Sequence, residues 1–296
     1  MKYVLTGSTG NITKPLARIL LDAGNEVTII SSNELRKAEI EELGAKAAIG
    51  NVLDTTFLTN VFSGADAVYL MIPPTFAVND WLGNQKAISE NYVTAIKQNG
   101  VKNIVQLSSI GAHLGTGAGP IDGVSYLEKR LETFNGLNVV KLRPSYFYTN
   151  FYTMIDMIKN FGILGSNMGN GDQKLVLTHP NDIADAAAKN LLTLDFKEQT
   201  IQYVSSDIRS FSEITKVLGE AIDKPELPWI SFSDDDALQG MLQAGLPEIF
   251  AKEYVQMGKS IREGLIQEDY FSSNEHPNGK VKLEDFAKEF ARVYNF

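Results

Sequence analysis

The sequence predicts an α/β fold in which a doubly wound parallel sheet carries a smaller, mostly helical C-terminal part. Three observations lead to this prediction. Short apolar runs alternate with amphipathic stretches over about the first 150 residues. A glycine-containing turn joins the first apolar run to the first amphipathic stretch. After about residue 150 the alternation changes to a series that consists mainly of amphipathic helices.

The first half of the chain reads as strands separated by helices. The strands are predicted in the runs KYVLTG, EVTIIS, AKAAIGNVLD, DAVYLMIPP, KNIVQLSSIG and NVVKLRPSYF. The helices are predicted in ITKPLARILLDAG, ELRKAEIEELG, TTFLTNVFSG, DWLGNQKAISENYVTAIKQNG and SYLEKRLETFNG, and Gly24, Gly44 and Gly100 are typical C-terminal caps. Helices between successive strands make the strands parallel, and such sheets bind ligands beyond the carboxyl ends of their strands.

The second half is predicted to divide between two parts. Residues 1–150 form a nucleotide-binding domain, and residues 172–206 return to it as a strand, a helix capped by Asn181 or Asp182, and the strand TIQYVSS. Residues 151–171 and 207–296 form the smaller part, which we expect to bind substrate. Because no low-complexity linker separates the two parts, we expect them to share one core.

Composition excludes several classes of function. The 296 residues carry a formal net charge of −9 with no basic stripe, which argues against nucleic-acid binding. The chain has no cysteine, and its three histidines are isolated, so no metal site is predicted. No signal peptide and no apolar run long enough to span a membrane is evident, so we expect a cytoplasmic protein.

The stretch TGSTGNIT is the most informative motif, because it follows a predicted strand and opens a predicted helix. Gly7 allows a tight turn, and Gly10 allows the backbone to approach a pyrophosphate at the helix N-terminus. This pattern predicts a dinucleotide site of the Rossmann type. The alternative is a plain strand-to-helix turn that needs glycine only for its backbone conformation.

The turn from Gly7 to Ile12 resembles the G-A-T-G-x-x-G opening of the NmrA-like group of atypical short-chain dehydrogenases/reductases. Four later segments resemble this group in the same order: LRPSYFYTNF (142–151), HPNDIADAAAKNL (179–191), SFSEITKVLGEAI (210–222) and LEDFAKEF (283–290). The sequence departs from the group where Thr13 stands at the third glycine and Asn51 stands where an aspartate is frequent. We expect the small Thr13 to be tolerated with a slight shift of the helix.

The sheet rule and the resemblance together predict the cofactor-binding residues. They lie in loops after successive strands and on one helix: Gly7, Ser8, Thr9, Gly10, Asn11, Ile12, Ser31, Ser32, Asn33, Arg36, Asn51, Val52, Met71, Ile72, Pro73, Ser108, Ser109 and Lys129. For Ser108 and Ser109 the alternative is a simple cap at the end of a strand.

The end of the second strand bears on the choice of nucleotide. An acid there would bind the ribose 2′-OH and select NAD, but this strand ends Ser31-Ser32-Asn33, whose hydroxyls and amide can donate to a 2′-phosphate. Arg36 and Lys37 follow, although both also fit a solvated helix face. The resemblance implies NADP(H), and we predict that it is preferred over NAD(H).

The resemblance also indicates the catalytic positions. The wider superfamily uses a tyrosine that passes a proton to the substrate and a lysine four residues later that holds the nicotinamide ribose. Here the corresponding residues are Ser125 and Lys129, while Tyr126 is adjacent and points about 100° away on a helix. A shift of one residue would instead pair Tyr126 with Arg130. The missing tyrosine weakens mechanisms that need a tyrosinate.

Aromatic residues after two strand ends are candidates for stacking on a flat acceptor. They are Phe76, Trp81, Tyr146, Phe147 and Tyr148. The alternative is that they pack the small part onto the sheet. The resemblance therefore predicts an NADPH-dependent reductase of a small electrophilic, quinone-like acceptor. A non-catalytic NADP(H) sensor that binds a protein partner and a sugar-nucleotide epimerase are the alternatives.

Overall fold

The computed structural model describes residues 1–75 and 78–296. Its strands are β1 (Lys2–Leu5), β2 (Glu26–Ser31), β3 (Lys46–Ile49), β4 (Ala67–Leu70), β5 (Asn103–Leu107), β6 (Asn138–Pro144), β7 (Tyr146–Phe147), β8 (Leu164–Ser166), β9 (Lys174–Thr178), β10 (Gln199–Val204), β11 (Asp207–Ser210) and β12 (Trp229–Ser231). Its helices are α1 (Thr13–Asp22), α2 (Lys37–Glu42), α3 (Thr55–Phe62), α4 (Trp81–Asn99), α5 (Ile121–Glu132), α6 (Ile155–Phe161), α7 (Pro180–Thr193), α8 (Phe211–Ala221), α9 (Asp234–Gln243), α10 (Glu248–Arg262), α11 (Glu268–Ser272) and α12 (Leu283–Tyr294).

Seven strands form the main sheet in the order β10-β6-β5-β4-β1-β2-β3, and every neighbouring pair is parallel. This arrangement confirms the predicted doubly wound sheet. The strand order reverses between β1 and β4, because β2 and β3 lie on one side of β1 while β4, β5 and β6 follow on the other. The crevice at such a reversal is where ligands of open α/β sheets bind.

Helix α1 shows how the sequence builds one layer of this fold. Its residues Leu16, Ala17 and Leu20 are fully buried in the core that also contains Tyr3 and Ile29 from the sheet. Their spacing of one and four positions produces a single apolar face, as the sequence predicts. Helix α4 begins at an aspartate cap, because Asp80 accepts a hydrogen bond from the Gly83 amide, and it ends at Gly100 in the left-handed conformation.

The segment 172–206 divides between two sheets. Helix α7 contacts α1, and β10 pairs with β6 at the edge of the main sheet. Strand β9 instead pairs with β7 and β11 in a separate three-stranded sheet. The predicted cap of α7 was wrong: His179 caps the helix by accepting the Asn181 amide at 3.1 Å on Nδ1, whereas the Asp182 carboxylate accepts a bond from Ser206.

The C-terminal helices and small sheets have an aromatic core of their own. The Tyr148 ring stacks on Phe286 of α12 with centroids 5.0 Å apart, and Phe211 stacks on Trp229 at 4.0 Å. Helices α8 and α12 close this core over the small sheet. In the part of the chain that the structure describes, no helix is both long and apolar enough to cross a membrane.

Candidate active site

The glycine turn, residues Gly7–Thr13, lies against the end of β2. Gly7 has φ +100° and Ser8 has φ +54°, so two consecutive residues adopt positive φ. The Ser8 amide donates to the Ile30 carbonyl at 3.0 Å, and the Ser8 and Ser31 hydroxyls are 3.0 Å apart. These bonds bring the predicted phosphate-binding turn next to the strand end that is predicted to meet the adenosine ribose.

Thr13 takes the place of the third glycine without opening a gap. It is buried, and its hydroxyl donates to the Thr6 carbonyl at 3.0 Å. A side chain on Gly7 would place its Cβ 2.7 Å from the Thr13 hydroxyl and 2.8 Å from the Met71 methyl group. Thr13 therefore fills the space between strand and helix, and the lack of a side chain at Gly7 makes room for it.

The ends of β1 and β4 are joined at the reversal of the sheet. The Met71 amide donates to the Thr6 hydroxyl at 2.6 Å, and the Tyr92 hydroxyl donates to the Met71 carbonyl at 2.9 Å. Burial raises the pKa of Tyr92 above its usual range, so the phenol stays protonated as a donor. Ile72 is buried and Pro73 is half-buried, and together they continue the wall of the crevice from Met71.

The remaining residues predicted at the adenosine end are mostly exposed. Ser32, Asn33 and Asn11 are exposed, as is Gly10, whereas Ile12 is buried under the turn. Asn51 is also exposed, and its side chain accepts the Leu53 amide at 2.9 Å, while the Val52 carbonyl accepts a bond from Asn91. The structure thus brings the glycine turn and the end of β2 into direct contact, and the loop after β3 follows beside them.

Glu39 is a residue of this region that sequence reasoning missed. Its carboxylate accepts bonds from Thr9 at 2.8 Å, from Lys14 at 2.8 Å and from Arg36 at 2.7 Å. Hydrogen bonds from Lys14, then Arg36 and then Thr9 lower the pKa of Glu39 to about 2. The i, i+3 spacing of Arg36 and Glu39 on a helix was a signal for part of this cluster.

The carboxyl end of β5 leads into a buried ionic network, which we call the Arg143 junction. Its residues come from the loop after β5, from α5, β6 and β10, and from α11: Ser108, His113, Glu128, Arg143, Tyr203 and Asp269. Ser108 donates to Glu128 at 2.5 Å. The Arg143 guanidinium binds both Glu128 oxygens, at 3.0 and 2.6 Å, and donates to Asp269 at 3.0 Å.

The outer side of the junction contains His113 and Tyr203. His113 Nδ1 lies 3.1 Å from the Asp269 carboxylate, and the Tyr203 hydroxyl donates to the same oxygen at 2.9 Å. Burial, followed by the hydrogen bond to Asp269, raises the pKa of Tyr203 to about 12. Of the predicted pair at this strand end, Ser108 is therefore engaged inside the junction, while Ser109 is half-exposed.

The three predicted catalytic residues of α5 point in different directions. Ser125 is buried, and its hydroxyl donates to the Ala112 carbonyl at 2.6 Å. The Tyr126 hydroxyl donates to Glu90 of α4 at 2.6 Å, and this bond and burial raise the pKa of Tyr126. Lys129 is exposed, and its ammonium lies beside Gly115. The hydroxyls of Ser125 and Tyr126 thus both have protein partners.

The predicted aromatic contacts separate into two groups. Tyr148 is fully buried and stacked on Phe286, which fits the alternative that it packs the small part onto the sheet. Trp81 is nearly buried and packs edge-on against Phe250 at 5.3 Å. Tyr146 and Phe147 keep part of their surface exposed. The prediction for Phe76 lies outside the described residues. Within residues 1–75 and 78–296, no group of three His, Asp or Glu residues is placed to hold a metal ion.

Comparison with known proteins agrees with this geometry. A sequence model of the NAD(P)H-binding family matches residues 7–146, which begin at the glycine turn and end at β7. The chain is 23% identical over 250 residues to an NAD(P)H azoreductase of Xenophilus azovorans, a match that covers 84% of this chain and 83% of that protein.

Two solved structures share the fold over almost the whole chain. The triphenylmethane reductase of Citrobacter sp. has a TM-score of 0.80 at 20% identity, covering 99% of this chain and 100% of that one. An NADPH-dependent quinone oxidoreductase of Escherichia coli has a TM-score of 0.76 at 18% identity, covering 97% and 99%. With the glycine turn at the reversal of a seven-stranded parallel sheet, these matches identify an NAD(P)H-binding region in a Rossmann-type fold and support an NAD(P)H-dependent oxidoreductase.

Proposed function

We propose that this protein transfers a hydride from NADPH directly to a small electrophilic acceptor of the quinone class. One observation carries the proposal. The nucleotide crevice is held in place by hydrogen bonds, whereas the only tyrosine of α5 already donates its hydroxyl to a protein carboxylate. Thr6, Ser8 and Met71 hold the crevice together, whereas the hydroxyls of Ser125 and Tyr126 are bonded to Ala112 and Glu90. This arrangement disfavours an epimerase, which needs a tyrosinate to oxidise an alcohol.

The choice of NADPH rests on the end of β2. Ser31, Ser32 and Asn33 present no carboxylate there, and Arg36 lies one turn further along the chain. A 2′-phosphate is bound best by hydroxyl, amide and guanidinium donors. We therefore propose that NADPH binds more tightly than NADH.

The acceptor end of the site is proposed from the loops after β5 and β6. When it is bound, the nicotinamide supplies the hydride. Ser109 and Lys129 are proposed to hold the nicotinamide amide and ribose. The partly exposed rings of Tyr146 and Phe147 are proposed to stack on the acceptor. Water supplies the proton, which suits a quinone because its reduced oxygen is a weak base.

The class of acceptor follows from chemistry that three relatives share. Their names describe the reduction of azo compounds, triphenylmethane dyes and quinones. All three acceptors are conjugated and electron-poor, so alignment and exclusion of water are the main demands on the enzyme. We propose a small aromatic molecule of this kind as the partner of the site.

The test is consumption of NADPH by the purified protein with a panel of quinones, azo dyes, enones and sugar nucleotides. We expect turnover with a quinone, faster with NADPH than with NADH at equal concentration. Lys129→Ala should lower kcat/KM by about 10- to 100-fold, the range for loss of one positioning contact. Lys189→Ala, an exposed lysine on α7, is the matched control and should have no effect.

Two results would contradict this proposal. Tight binding of NADPH without turnover on any acceptor would favour the non-catalytic sensor. Turnover that is confined to sugar nucleotides would favour the epimerase. In either case the NAD(P)H-binding region would stand, because it rests on the fold, the glycine turn and the family model that matches residues 7–146.

A further inference from the structure

Three donors from three segments converge on one carboxylate beside the glycine turn. Thr9 Oγ1 and an Arg36 Nη atom donate to Glu39 Oε2, at 2.8 and 2.7 Å, and Lys14 Nζ donates to Oε1 at 2.8 Å. The Glu39 side chain is 30% exposed, whereas those of Lys14 and Arg36 are 52% and 51% exposed. The three donors form an anion-binding cluster, and the anion that they bind in this structure is the Glu39 carboxylate.

This cluster lies where the 2′ substituent of the adenosine ribose is expected. The 2′ position is read at the end of β2 in this class of fold, and the 3.0 Å contact between Ser8 and Ser31 places the turn at that end. Thr9 is the next residue of the turn, and Arg36 lies shortly after β2. Lys14 is in the first turn of α1, at the positive end of a ten-residue helix.

We infer that Glu39 is a specificity-determining residue, because its carboxylate competes with the 2′-phosphate of NADPH for Thr9 and Arg36. The inference deepens the proposed function, since it concerns how strongly the same site prefers NADPH. NADH carries no group that needs these donors, so its binding leaves the cluster intact. The 2′-phosphate of NADPH must replace Glu39 as the acceptor of the hydrogen bonds from Thr9 and Arg36, and it then lies close to the negative charge of Glu39.

Electrostatics gives the direction of the effect. Two anions a few ångströms apart repel each other even near a solvated surface. Replacing Glu39 by glutamine keeps the shape of the side chain and removes its charge. The three donors then face a neutral amide, which holds them less strongly than a carboxylate, so the affinity for a 2′-phosphate should rise.

The test uses the adenosine half of the cofactor alone, so that it does not depend on any acceptor. The Kd values of 2′,5′-ADP and of 5′-ADP are measured by calorimetry for the whole chain. In Glu39→Gln we expect 2′,5′-ADP to bind about 5- to 10-fold more tightly, while 5′-ADP changes by less than about twofold. Glu41→Gln, an exposed carboxylate on the same helix, is the matched control and should change neither Kd.

A double-variant cycle assigns the effect to Arg36. In Arg36→Ala the affinity for 2′,5′-ADP should fall. When Glu39→Gln is added to Arg36→Ala, the increase in affinity should be less than half of the increase that Glu39→Gln causes in the wild-type protein. The gain should also shrink with rising salt, because the cluster is partly solvated. Thermal unfolding confirms that each variant is folded.

The outcomes that overturn the inference differ from those that overturn the reductase. An unchanged or weaker Kd for 2′,5′-ADP in Glu39→Gln would show that Glu39 does not compete, and that it instead organises Arg36 for the phosphate. An equal gain for 5′-ADP would show an effect on the whole crevice. Neither result would affect turnover of quinones by the wild-type protein.

Discussion

The glycine turn and the Arg143 junction both hold polar groups away from water, but the chain assembles them in opposite ways. In the turn, Thr13 donates to Thr6, only seven positions earlier. In the junction, Arg143 donates to Asp269, which is 126 positions away. The first arrangement follows from local backbone geometry, while the second exists only after the C-terminal helices have docked on the sheet.

This difference predicts that substitutions in the two regions affect different properties of the protein. A change at a glycine of the turn should act mainly on nucleotide binding, because the turn presents its backbone to the crevice. A change in the junction should act mainly on stability, because Glu128 and Arg143 are buried charges with little access to water. The four predictions below run from the largest expected effect to the smallest.

Arg143→Met should cause the largest loss of stability. It leaves the Glu128 and Asp269 carboxylates without their shared cation, and breaking a buried pair in this way costs about 3–5 kcal/mol. Urea denaturation measures the free energy of unfolding. The control is Arg130→Met, which breaks the half-exposed pair with Glu90 and should cost less than about 1 kcal/mol. Equal costs for the two variants would show that burial does not distinguish the junction.

Gly7→Ala should weaken NADPH binding by at least about 100-fold, or about 2.7 kcal/mol. The added Cβ meets Thr13 and Met71 at under 3 Å, in addition to the strain of a positive φ. Gly24→Ala isolates the strain, because Gly24 has φ +79° and nothing within 4 Å of an added Cβ. Kd is measured by quenching of protein fluorescence. Binding that survives in Gly7→Ala would mean that the turn does not cradle the cofactor.

Thr13→Val should lower the free energy of unfolding by about 1–2 kcal/mol, because it leaves the buried Thr6 carbonyl without this donor. The matched control is Thr193→Val, which removes an exposed hydroxyl bond to Lys189 and should stay within about 0.5 kcal/mol of wild type. Both are measured by urea denaturation. If the two variants lose equal stability, the hydroxyl at the third-glycine position has no special role.

The smallest effect is expected for an exposed long-range ion pair. Hydrogen bonds from Arg262 and then Asn167 lower the pKa of Asp234 to about 2, although both charged side chains are about one-third exposed. Because the pKa is lower in the folded state, the stabilisation is present above the unfolded pKa of about 4 and disappears as the pH falls through about 2.

Asp234→Asn should therefore lower stability at pH 7 by less than about 1 kcal/mol. Its difference from wild type should vanish in acid, while Asp235→Asn, exposed in the same first turn of α9, should show no such pH dependence. Denaturation at a series of pH values measures both. A difference that persists in strong acid would mean that Asp234 acts through packing and not through its charge.

The order of strands and helices was predictable from the sequence because the spacing of apolar residues differs between a strand and a helix. The apolar face of α1 and the alternation of β1 to β6 with helices were enough to predict the parallel sheet. The glycine turn was also predictable, since the backbone conformation that it requires is set by a few consecutive residues. The cap of α7 was missed because a histidine can accept a backbone bond that aspartate and asparagine more often accept.

Contacts made at long range were not predictable. Nothing in the local sequence marks Glu39 as the partner of Thr9 and Lys14, or Asp269 as the partner of Arg143, and the core position of Tyr148 depends on where α12 packs. The sequence by itself determined the sheet, the turn and the absence of an acid at positions 31–33, where β2 ends. Only the tertiary structure decided which charges meet and which hydroxyls are engaged, because those pairings are set by helices that dock from distant parts of the chain.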